Sequence, residues 1–176
     1  QLFYLSLKEK QCTMNRVSRL QSKILSFSSL KSQLEKWRSE NEKIVFTNGC
    51  FDLLHLGHVD YLAKARDLGG RLVVGLNSDA SIKRIKDPSR PIKNQQSRAA
   101  LLAGMTYVDA VVLFDEDTPI NLISAVMPDV LVKGADYSIK EIVGHEIVLN
   151  NAGEVCTIDF VEGYSSSALI EKIKAS

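Results

Sequence analysis

Residues 43–62, which read KIVFTNGCFDLLHLGHVDYL, constrain the fold of this chain more than any other stretch. Residues 43–47 form a β-branched and aromatic run that predicts a buried strand, and Asn48-Gly49 is a typical turn sequence. From His55 onwards the apolar residues recur at helical spacing. The stretch therefore predicts a strand, a tight turn at glycine and the start of a helix.

Two histidines mark the start of this predicted helix. His55 and His58 are three residues apart, which places them on one face of the first helical turn. The free backbone N–H groups and the positive end of the helix dipole lie there too, so the helix start suits an anion. Taken alone, the pair is equally compatible with two surface histidines. Gly57 favours a functional interpretation, because glycine costs about 1 kcal/mol relative to alanine in a helix and lets a phosphate approach the backbone.

The rest of the chain repeats the alternation of strands and helices. Four further apolar runs predict strands at residues 71–76, 110–114, 130–133 and 155–160, with helical patterns between them. Such alternation predicts a parallel sheet with helices on both faces. We therefore predict an α/β, Rossmann-like three-layer domain over residues 43–176, with a sheet of about five strands and ligands at their carboxyl ends.

Two later segments are also predicted to be helical. Residues 139–150 are expected to form one helix, and residues 165–174 a final helix. In the final helix the apolar spacing predicts that Leu169, Ile170 and Ile173 face the core.

Residues 1–42 are predicted to be an N-terminal extension with amphipathic helices that pack on this domain. Ser28-Ser29 is a candidate cap for the second of two helices. The apolar residues at helical spacing are Val17, Leu20 and Ile24 in the first pattern, and Leu30, Leu34 and Trp37 in the second. Packing within the subunit and a homodimer contact are both compatible with these helices. We expect Met14 to be the natural start, with residues 1–13 foreign to the protein.

The composition argues against several classes of function. The formal net charge of +1 gives no general attraction to nucleic acid or to an anionic membrane. The three cysteines are far apart and form no C-x-x-C pair, which argues against a disulfide framework or a zinc site. No apolar run approaches the roughly 18–20 residues that span a bilayer. We expect a cytoplasmic protein without nucleic-acid or membrane partners and without a metal held by the protein alone.

The H-x-G-H sequence at residues 55–58, preceded by Gly49-Cys50-Phe51-Asp52, resembles the cytidylyltransferase-like nucleotidyltransferase superfamily. Within it, the chain from about residue 43 almost to its end is similar to the adenylyltransferase domain of ADP-heptose synthases. That resemblance implies transfer of AMP from ATP to D-glycero-β-D-manno-heptose 1-phosphate, giving ADP-heptose and pyrophosphate for bacterial surface polysaccharide. ATP would then be a substrate that carries its own Mg²⁺, and a sugar phosphate would be the small-molecule partner.

The resemblance also implies roles for individual residues. His55 and His58 would be catalytic and donate hydrogen bonds to the α-phosphate and the bridging oxygen, while Lys83 and Lys86 would hold the phosphate of the sugar. The residues implied to bind the nucleotide are Thr47, Asn48, Gly49, Cys50, Phe51, Asp52, Gly57, Arg98, Lys133, Gly134, Asp136, Tyr164, Ser165, Ser166 and Ser167. For the lysines and the arginine the alternative is a solvated basic face, and for the serines it is simple capping of a helix.

Three residues in these motifs have more specific expectations. Asp52 is expected to orient the site by bonding the backbone of its own turn or a histidine. Cys50 is expected to be buried and inert, because nothing in the sequence near it would favour a thiolate. Ala135 replaces the second glycine of the family's K-G-G-D-Y segment, and would be strained if that position required a positive φ.

Other functions are compatible with the same sequence. Cytidylyl transfer to glycerol 3-phosphate, or transfer to another sugar phosphate, would use the same motifs, and a non-catalytic nucleotide-binding module would keep the fold. Glycerol-phosphate enzymes are expected to have arginines near the positions of Thr106 and Phe160, and their absence favours the heptose branch. P-loop and dinucleotide-binding functions are excluded because neither glycine-rich motif occurs.

Overall fold

The computed structural model describes residues 15–175, so the predicted start at Met14 and residues 1–13 lie outside the described residues. The helices are α1 (Arg16–Gln21), α2 (Phe27–Ser39), α3 (Leu56–Asp67), α4 (Asp79–Ile85), α5 (Gln95–Ala103), α6 (Ile120–Val126), α7 (His145–Asn150) and α8 (Ser166–Lys174). The strands are β1 (Ile24–Leu25), β2 (Ile44–Gly49), β3 (Arg71–Asn77), β4 (Ala110–Phe114), β5 (Val130–Gly134) and β6 (Glu154–Ile158). A 3₁₀ helix spans Ile139–Glu141.

The strands form one parallel sheet in the order β1-β4-β3-β2-β5-β6. β2 lies in the middle of the sheet and pairs with β3 on one side and β5 on the other. The predicted Rossmann-like α/β class is confirmed. The sheet has six strands rather than about five, because β1 adds an edge strand that the sequence analysis placed in a helix.

Helices cover both faces of the sheet, and neighbouring residues of each strand point to opposite faces. In β2, Ile44 and Phe46 pack into one core cluster, while Val45 packs into the other. Buried residues of α2, α6 and α7 complete the first cluster, and those of α3 and α5 complete the second. The central strands read as continuous apolar runs because neither face meets water.

The first N-terminal helix differs from the prediction, whereas the second has the predicted buried face. The first helix ends at Gln21 and buries none of its residues, and Ile24 lies instead in β1, opposite Val111 of β4. The second helix is capped by Ser26 rather than by Ser28-Ser29, since the Ser26 side chain accepts from the N–H of Ser29. Its three predicted apolar residues are all buried, as expected: Leu30, Leu34 and Trp37.

The predicted turn at Asn48-Gly49 is wrong, because both residues extend β2 and pair with β3. The chain turns two residues later, at Phe51, which has a left-handed φ of 45°. The ring of Phe51 folds back over Gly49, where an added Cβ would lie 3.0 Å from the ring. Glycine at residue 49 therefore makes room for this turn rather than forming it.

Two helices near the C-terminus also correct the prediction. The segment 139–150 is not one helix, because Gly144 adopts a φ of 85° between the 3₁₀ helix and α7. In α8, Leu169 and Ile173 are 40% and 66% exposed and do not face the core. Helical spacing alone identified the apolar face of α8, but the fold leaves most of that face uncovered.

Candidate functional site

A cleft of about 410 Å³ opens at the carboxyl ends of β2 and β5. The chain runs to opposite sides of the sheet from this point, which is where open α/β sheets bind ligands. The middle of the cleft is lined by Asn48, Gly49, Cys50, Phe51, His58 and Tyr61. One side is lined by Asn77, Ile85, Lys86, Asp117, Thr118 and Pro119. The other side is lined by Lys133, Gly134, Asp136, Tyr137, Phe160 and residues 141–143.

His55 and His58 form a stacked pair at the start of α3. Their ring centroids are 3.9 Å apart, with 29° between the planes, and His55 is the N-cap residue of the helix. Burial, with smaller contributions from the neighbouring His55 and Lys86, lowers the pKa of His58 to about 4. Burial also lowers the pKa of His55. The pair is therefore neutral near pH 7, and the Nδ1 atoms of both rings are buried without a hydrogen-bond partner among residues 15–175.

Gly57 is buried between the two histidines, and the structure shows what approaches it. An added Cβ would lie 3.1 Å from Nδ1 of His55 and 3.5 Å from Cβ of Tyr164. The sequence analysis expected a phosphate to need this space. In the structure the His55 ring occupies it, so the glycine permits the stacking of the two imidazoles.

Asp52 orients a neighbouring loop rather than its own turn or a histidine, which corrects that expectation. Its carboxylate accepts hydrogen bonds from the backbone N–H groups of Ile92 and Lys93 and from Nε of Arg90. Burial alone would raise the pKa of Asp52, but these hydrogen bonds and the Arg90 charge hold it below its ordinary value. The loop before α5 is thus fixed to the segment that leads into α3.

Arg98 does not reach the cleft and does not form part of a solvated face. It is fully buried, and its guanidinium donates to the carbonyl oxygens of Cys50, Asn77 and Lys93. Its Nη2 also lies 2.7 Å from Oδ1 of Asp79. All of its donating nitrogens face protein atoms, so Arg98 holds together the ends of β2 and β3 instead of binding a phosphate.

Lys133 lies at the switch point itself, because β5 pairs directly with β2. Its Nζ donates to the carbonyl oxygen of Asn48 at 3.3 Å and lies 5.6 Å from the centre of the Tyr137 ring. Burial lowers the pKa of Lys133 to about 8, and Asp136 partly opposes that shift. No carboxylate of the described chain forms an ion pair with Lys133, so its charge is left for a ligand.

Gly134 and Asp136, which follow Lys133, also line the cleft. Gly134 has no space for a side chain, since an added Cβ would lie 2.0 Å from the Phe160 ring. Asp136 is exposed at the rim of the cleft. Ala135 has an ordinary backbone conformation, so alanine causes no strain at this position.

The two lysines of α4 are separated by the fold. Lys86 is the C-cap residue of α4 and lines the cleft. Lys83 is exposed on the same helix and does not line the cleft. The structure therefore brings one of these two basic residues to the site.

The segment that leads into α8 lies beside the histidines without lining the cleft. The Tyr164 ring is 6.4 Å from the ring of His55. Ser165 caps the helix by accepting from the N–H of Ala168, and Ser166 Oγ donates to the carbonyl oxygen of Leu53. Ser167 is exposed at the first turn. Simple capping thus accounts for one serine, while a second ties α8 to the chain before His55.

The remaining predicted residues lie on β2 and the turn after it. Thr47 is buried, and its hydroxyl forms a 2.7 Å hydrogen bond with the hydroxyl of Tyr61, which lines the cleft. Thr47 therefore positions Tyr61. Asn48 lines the cleft, and its Oδ1 is buried without a partner in the described part of the chain. Cys50 lines the cleft and is half-buried rather than buried as expected. Burial raises the pKa of its thiol, which agrees with an inert cysteine.

More than half of the residues that line the cleft were not predicted from the sequence. Asp117 and Thr118 follow β4, residues 141–143 lie at and just after the end of the 3₁₀ helix, and Phe160 follows β6. They belong to loops without a recognisable motif, and only the parallel sheet places them at one edge. The general rule that ligands bind at the carboxyl ends of strands could have indicated these loops, but not the residues within them.

No group of side chains able to hold a metal ion occurs among residues 15–175. Over the same residues, no helix combines the length and the apolar character needed to cross a bilayer.

The sequence of residues 46–172 matches the family described as cytidylyltransferase-like. This chain belongs to that family. The match covers the histidine pair, the cleft and most of α8, so the resemblance drawn from the H-x-G-H motif is confirmed.

Members of the family with high identity are described as "Bifunctional protein HldE". The protein of Campylobacter concisus is 62% identical over 133 residues, which cover 76% of this chain and 27% of that protein. That of Wolinella succinogenes is 54% identical and covers 89% of this chain and 32% of its own length. That of Helicobacter pylori strain ATCC 700392 / 26695 is 54% identical over 96% of this chain and 34% of its own length. This chain therefore spans about a third of these relatives.

Solved structures agree with the family assignment. A lipopolysaccharide core biosynthesis protein from Thermoplasma volcanium has a TM-score of 0.56 and 28% identity, covering 70% of this chain and 99% of its own. A pantothenate synthetase from Thermus thermophilus has a TM-score of 0.61 at 18% identity, covering 87% of this chain and 70% of its own. At that identity the second likeness shows the shared fold alone.

Proposed function

We propose that this chain is an adenylyltransferase that transfers AMP from ATP to D-glycero-β-D-manno-heptose 1-phosphate and releases ADP-heptose and pyrophosphate. The observation that carries the proposal is the stacked pair of His55 and His58 at the start of α3, beside the cleft between β2 and β5. Two donor side chains at a helix N-terminus, beside a cleft lined by Lys86 and Lys133, suit the transfer of a nucleotidyl group.

The reaction needs two anions held in line and charge stabilised on the group that moves. An oxygen of the sugar phosphate attacks the α-phosphorus, and a new P–O bond forms while the bond from that phosphorus to the bridging oxygen breaks. Pyrophosphate leaves with the electron pair of that bond. His58 donates to the α-phosphate and His55 to the bridging oxygen, and neither residue bonds covalently to the substrate.

The other charged groups hold the substrates in place. Lys133 supplies a positive charge to the α-phosphate from the β5 side, and Lys86 faces the sugar phosphate from the α4 side. The free N–H groups at the start of α8, together with Ser167, suit the β- and γ-phosphates. Mg²⁺ enters with the triphosphate. Arg98, Asp52 and Thr47 act on the nucleotide only through the loops that they position.

The choice of ATP and a heptose phosphate rests on the family resemblance. It is supported by the relatives described as bifunctional HldE proteins and by the structural neighbour described as a lipopolysaccharide core biosynthesis protein. We further propose that residues 43–176 form the transferase, that residues 15–42 complete its sheet, and that the reaction takes place in the cytoplasm. A homodimer and the lack of nucleic-acid partners stay predictions.

The test is a matrix of substrates with pyrophosphate release as the measurement. ATP, CTP, GTP and UTP are each combined with D-glycero-β-D-manno-heptose 1-phosphate, glycerol 3-phosphate and mannose 1-phosphate, in the presence of Mg²⁺. A variant with both His55→Gln and His58→Gln, purified in the same way, tests whether the histidines take part in the reaction. We expect release only with ATP and the heptose phosphate.

Each other result in the matrix has a distinct meaning. Release with CTP and glycerol 3-phosphate would support the same mechanism but show that the assigned substrates are wrong. No release with any pair, from folded protein that binds ATP, would favour a nucleotide-binding module. Equal release by the double variant would remove the histidines from the mechanism.

A further inference from the structure

One side of the cleft has a chemistry different from the other. The sheet order places the loops after β3 and β4 on one side of β2, and those after β5 and β6 on the opposite side. The β5 side offers Lys133 and two half-exposed aromatic rings, Tyr137 and Phe160, which suit a nucleotide with a flat base. The β4 side offers a carboxylate, a hydroxyl and Lys86 instead.

The carboxylate on the β4 side belongs to Asp117 and is held by Arg84. The Nε of Arg84 lies 2.7 Å from Oδ1 of Asp117, and the same guanidinium donates to the backbone carbonyl oxygen of Asp115. Arg84 thus ties α4 to the loop after β4. Oδ2 of Asp117 has no hydrogen-bond donor within residues 15–175, so it is available to a ligand.

The charge of Arg84 also explains how an acidic residue can line a site for phosphates. A lone carboxylate would repel two anionic substrates. With Arg84 beside it, Asp117 keeps its hydrogen-bond acceptors while its charge is partly offset, because the same guanidinium also lies 3.8 Å from a carboxylate oxygen of Asp115. A carboxylate oxygen accepts from the hydroxyl of a sugar more strongly than a neutral group does.

We infer that Asp117 and Thr118 recognise the hydroxyl groups of the acceptor sugar, on the β4 side of the cleft. Thr118 is exposed at the same rim and can donate to or accept from a neighbouring hydroxyl. Lys86 then faces the phosphate of the same molecule. Arg84 is a positioning residue that acts through Asp117. This inference rests on the proposed function, since it places the sugar phosphate opposite the nucleotide.

The test measures the steady-state KM for the sugar phosphate and the KM for ATP in each variant. Asp117→Asn removes the charged acceptor, and Thr118→Val removes the hydroxyl at nearly constant shape. We expect each change to raise KM for the heptose phosphate at least about tenfold, as the loss of a hydrogen bond to a charged or polar group would. KM for ATP and the dissociation constant of ATP alone should change by less than about twofold.

Matched controls separate recognition from folding. Glu116→Gln alters the acidic residue next to Asp117, which bonds Asn121 and does not line the cleft, and it should leave both KM values unchanged. Arg84→Ala should raise KM for the sugar phosphate selectively, and Arg84→Lys should recover part of that loss. Calorimetric binding of ATP shows that each variant is folded.

Two outcomes would overturn the inference. Equal changes in both KM values would mean that the loop acts on the whole site, and no change would mean that the sugar lies elsewhere. If the wild-type protein uses another acceptor, the proposed function is wrong. The same variants measured with that acceptor then test whether Asp117 and Thr118 recognise it. If no acceptor is used, both fail together.

Discussion

The carboxylate of Asp52 and the guanidinium of Arg90 form an ion pair, with Nε of the arginine 2.7 Å from Oδ2. Only 2% of Asp52 is exposed, and two backbone N–H groups complete its hydrogen bonds. The pair joins the loop before α5 to the chain that precedes the histidines. The geometry of the site therefore depends on a residue that does not line the cleft.

Asp52→Asn should lower the free energy of unfolding by about 3 kcal/mol, because it leaves Arg90 without its buried partner. The folded-state pKa of Asp52 is lowered, so its contribution to stability is present above pH 4 and is lost as the pH falls through the folded-state pKa. The difference between variant and wild type should therefore shrink in acid. Urea unfolding at several pH values measures it. Glu40→Gln, on an exposed carboxylate, should change stability by less than about 0.5 kcal/mol.

Arg98→Ala should destabilise the fold by about 3–5 kcal/mol, because it leaves Asp79 and three carbonyl oxygens without a donor. Arg98→Lys keeps the charge and should be milder, so it allows ATP affinity to be measured on folded protein. We expect that affinity to fall by less than about threefold. Arg16→Ala serves as the exposed control. A large loss of ATP affinity at unchanged stability would indicate that Arg98 binds the nucleotide directly.

His58 should titrate near pH 4 in the free protein, well below the ordinary value of 6.5. Burial is the main cause and His55 adds to it, so His55→Ala should raise the pKa of His58 without restoring 6.5. Between pH 6.5 and 4 the unfolded chain binds more protons than the folded one, and stability should decrease as the pH falls. Proton NMR of the imidazole rings follows this titration. A His58 signal that titrates at 6.5 would contradict the structure.

Gly57→Ala should separate stability from activity. Alanine favours the helix by about 1 kcal/mol, but its Cβ would lie 3.1 Å from Nδ1 of His55 and displace that ring. We expect unfolding free energy to change by less than about 1 kcal/mol, while turnover falls by about 10²-fold because one transition-state donor is misplaced. Ala63→Gly, almost two turns further along α3, is the control for helix propensity alone. Full turnover in Gly57→Ala would show that stacking is dispensable.

Affinity for ATP should decrease as the pH rises above about 8. Burial lowers the pKa of Lys133 to about 8, so above that pH the nucleotide must bind together with a proton. Linkage then predicts a loss of affinity that approaches about tenfold per pH unit. Calorimetry at pH 8.5 in two buffers of different ionisation enthalpy measures the proton uptake. Lys133→Met should abolish the proton uptake. Lys140→Met, which changes an exposed lysine of the 3₁₀ helix, should leave the uptake unchanged.

Burial sets this pH range, and two titratable neighbours of Lys133 act against it: Asp136 on its own loop and Cys50 after β2. His58 and Lys86 line the same cleft. His58 is neutral above pH 5, and burial raises the pKa of Cys50. Proton uptake that persists in Lys133→Met would have to come from one of these groups.

The sequence predicted the order of the main elements because their signals are local. Apolar runs identified the five long strands, and three residues of α2 were correctly expected in the core: Leu30, Leu34 and Trp37. β1 escaped prediction because Ile24 and Leu25 are too few to show a period of two. Their strand exists only because β4 has an edge for them to pair with.

The site was predicted less completely than the fold. Sequence motifs indicated His58, Lys86 and Lys133, and all three line the cleft. The direction of a long side chain is not encoded locally, so Arg98 was expected in the site although it is buried behind it. Asp117 was not expected at all, because its position depends on the neighbouring strands and on its contact with Arg84.

The short pairing of Ile24–Leu25 with β4 also determines which residues this domain needs when it is joined to another chain. A version that begins at residue 43 would retain every motif, yet leave the outer edge of β4 unpaired and the apolar surface beneath α2 open to water. Unpaired edges recruit strands from other chains. A longer polypeptide that includes this domain must therefore also include residues 15–42.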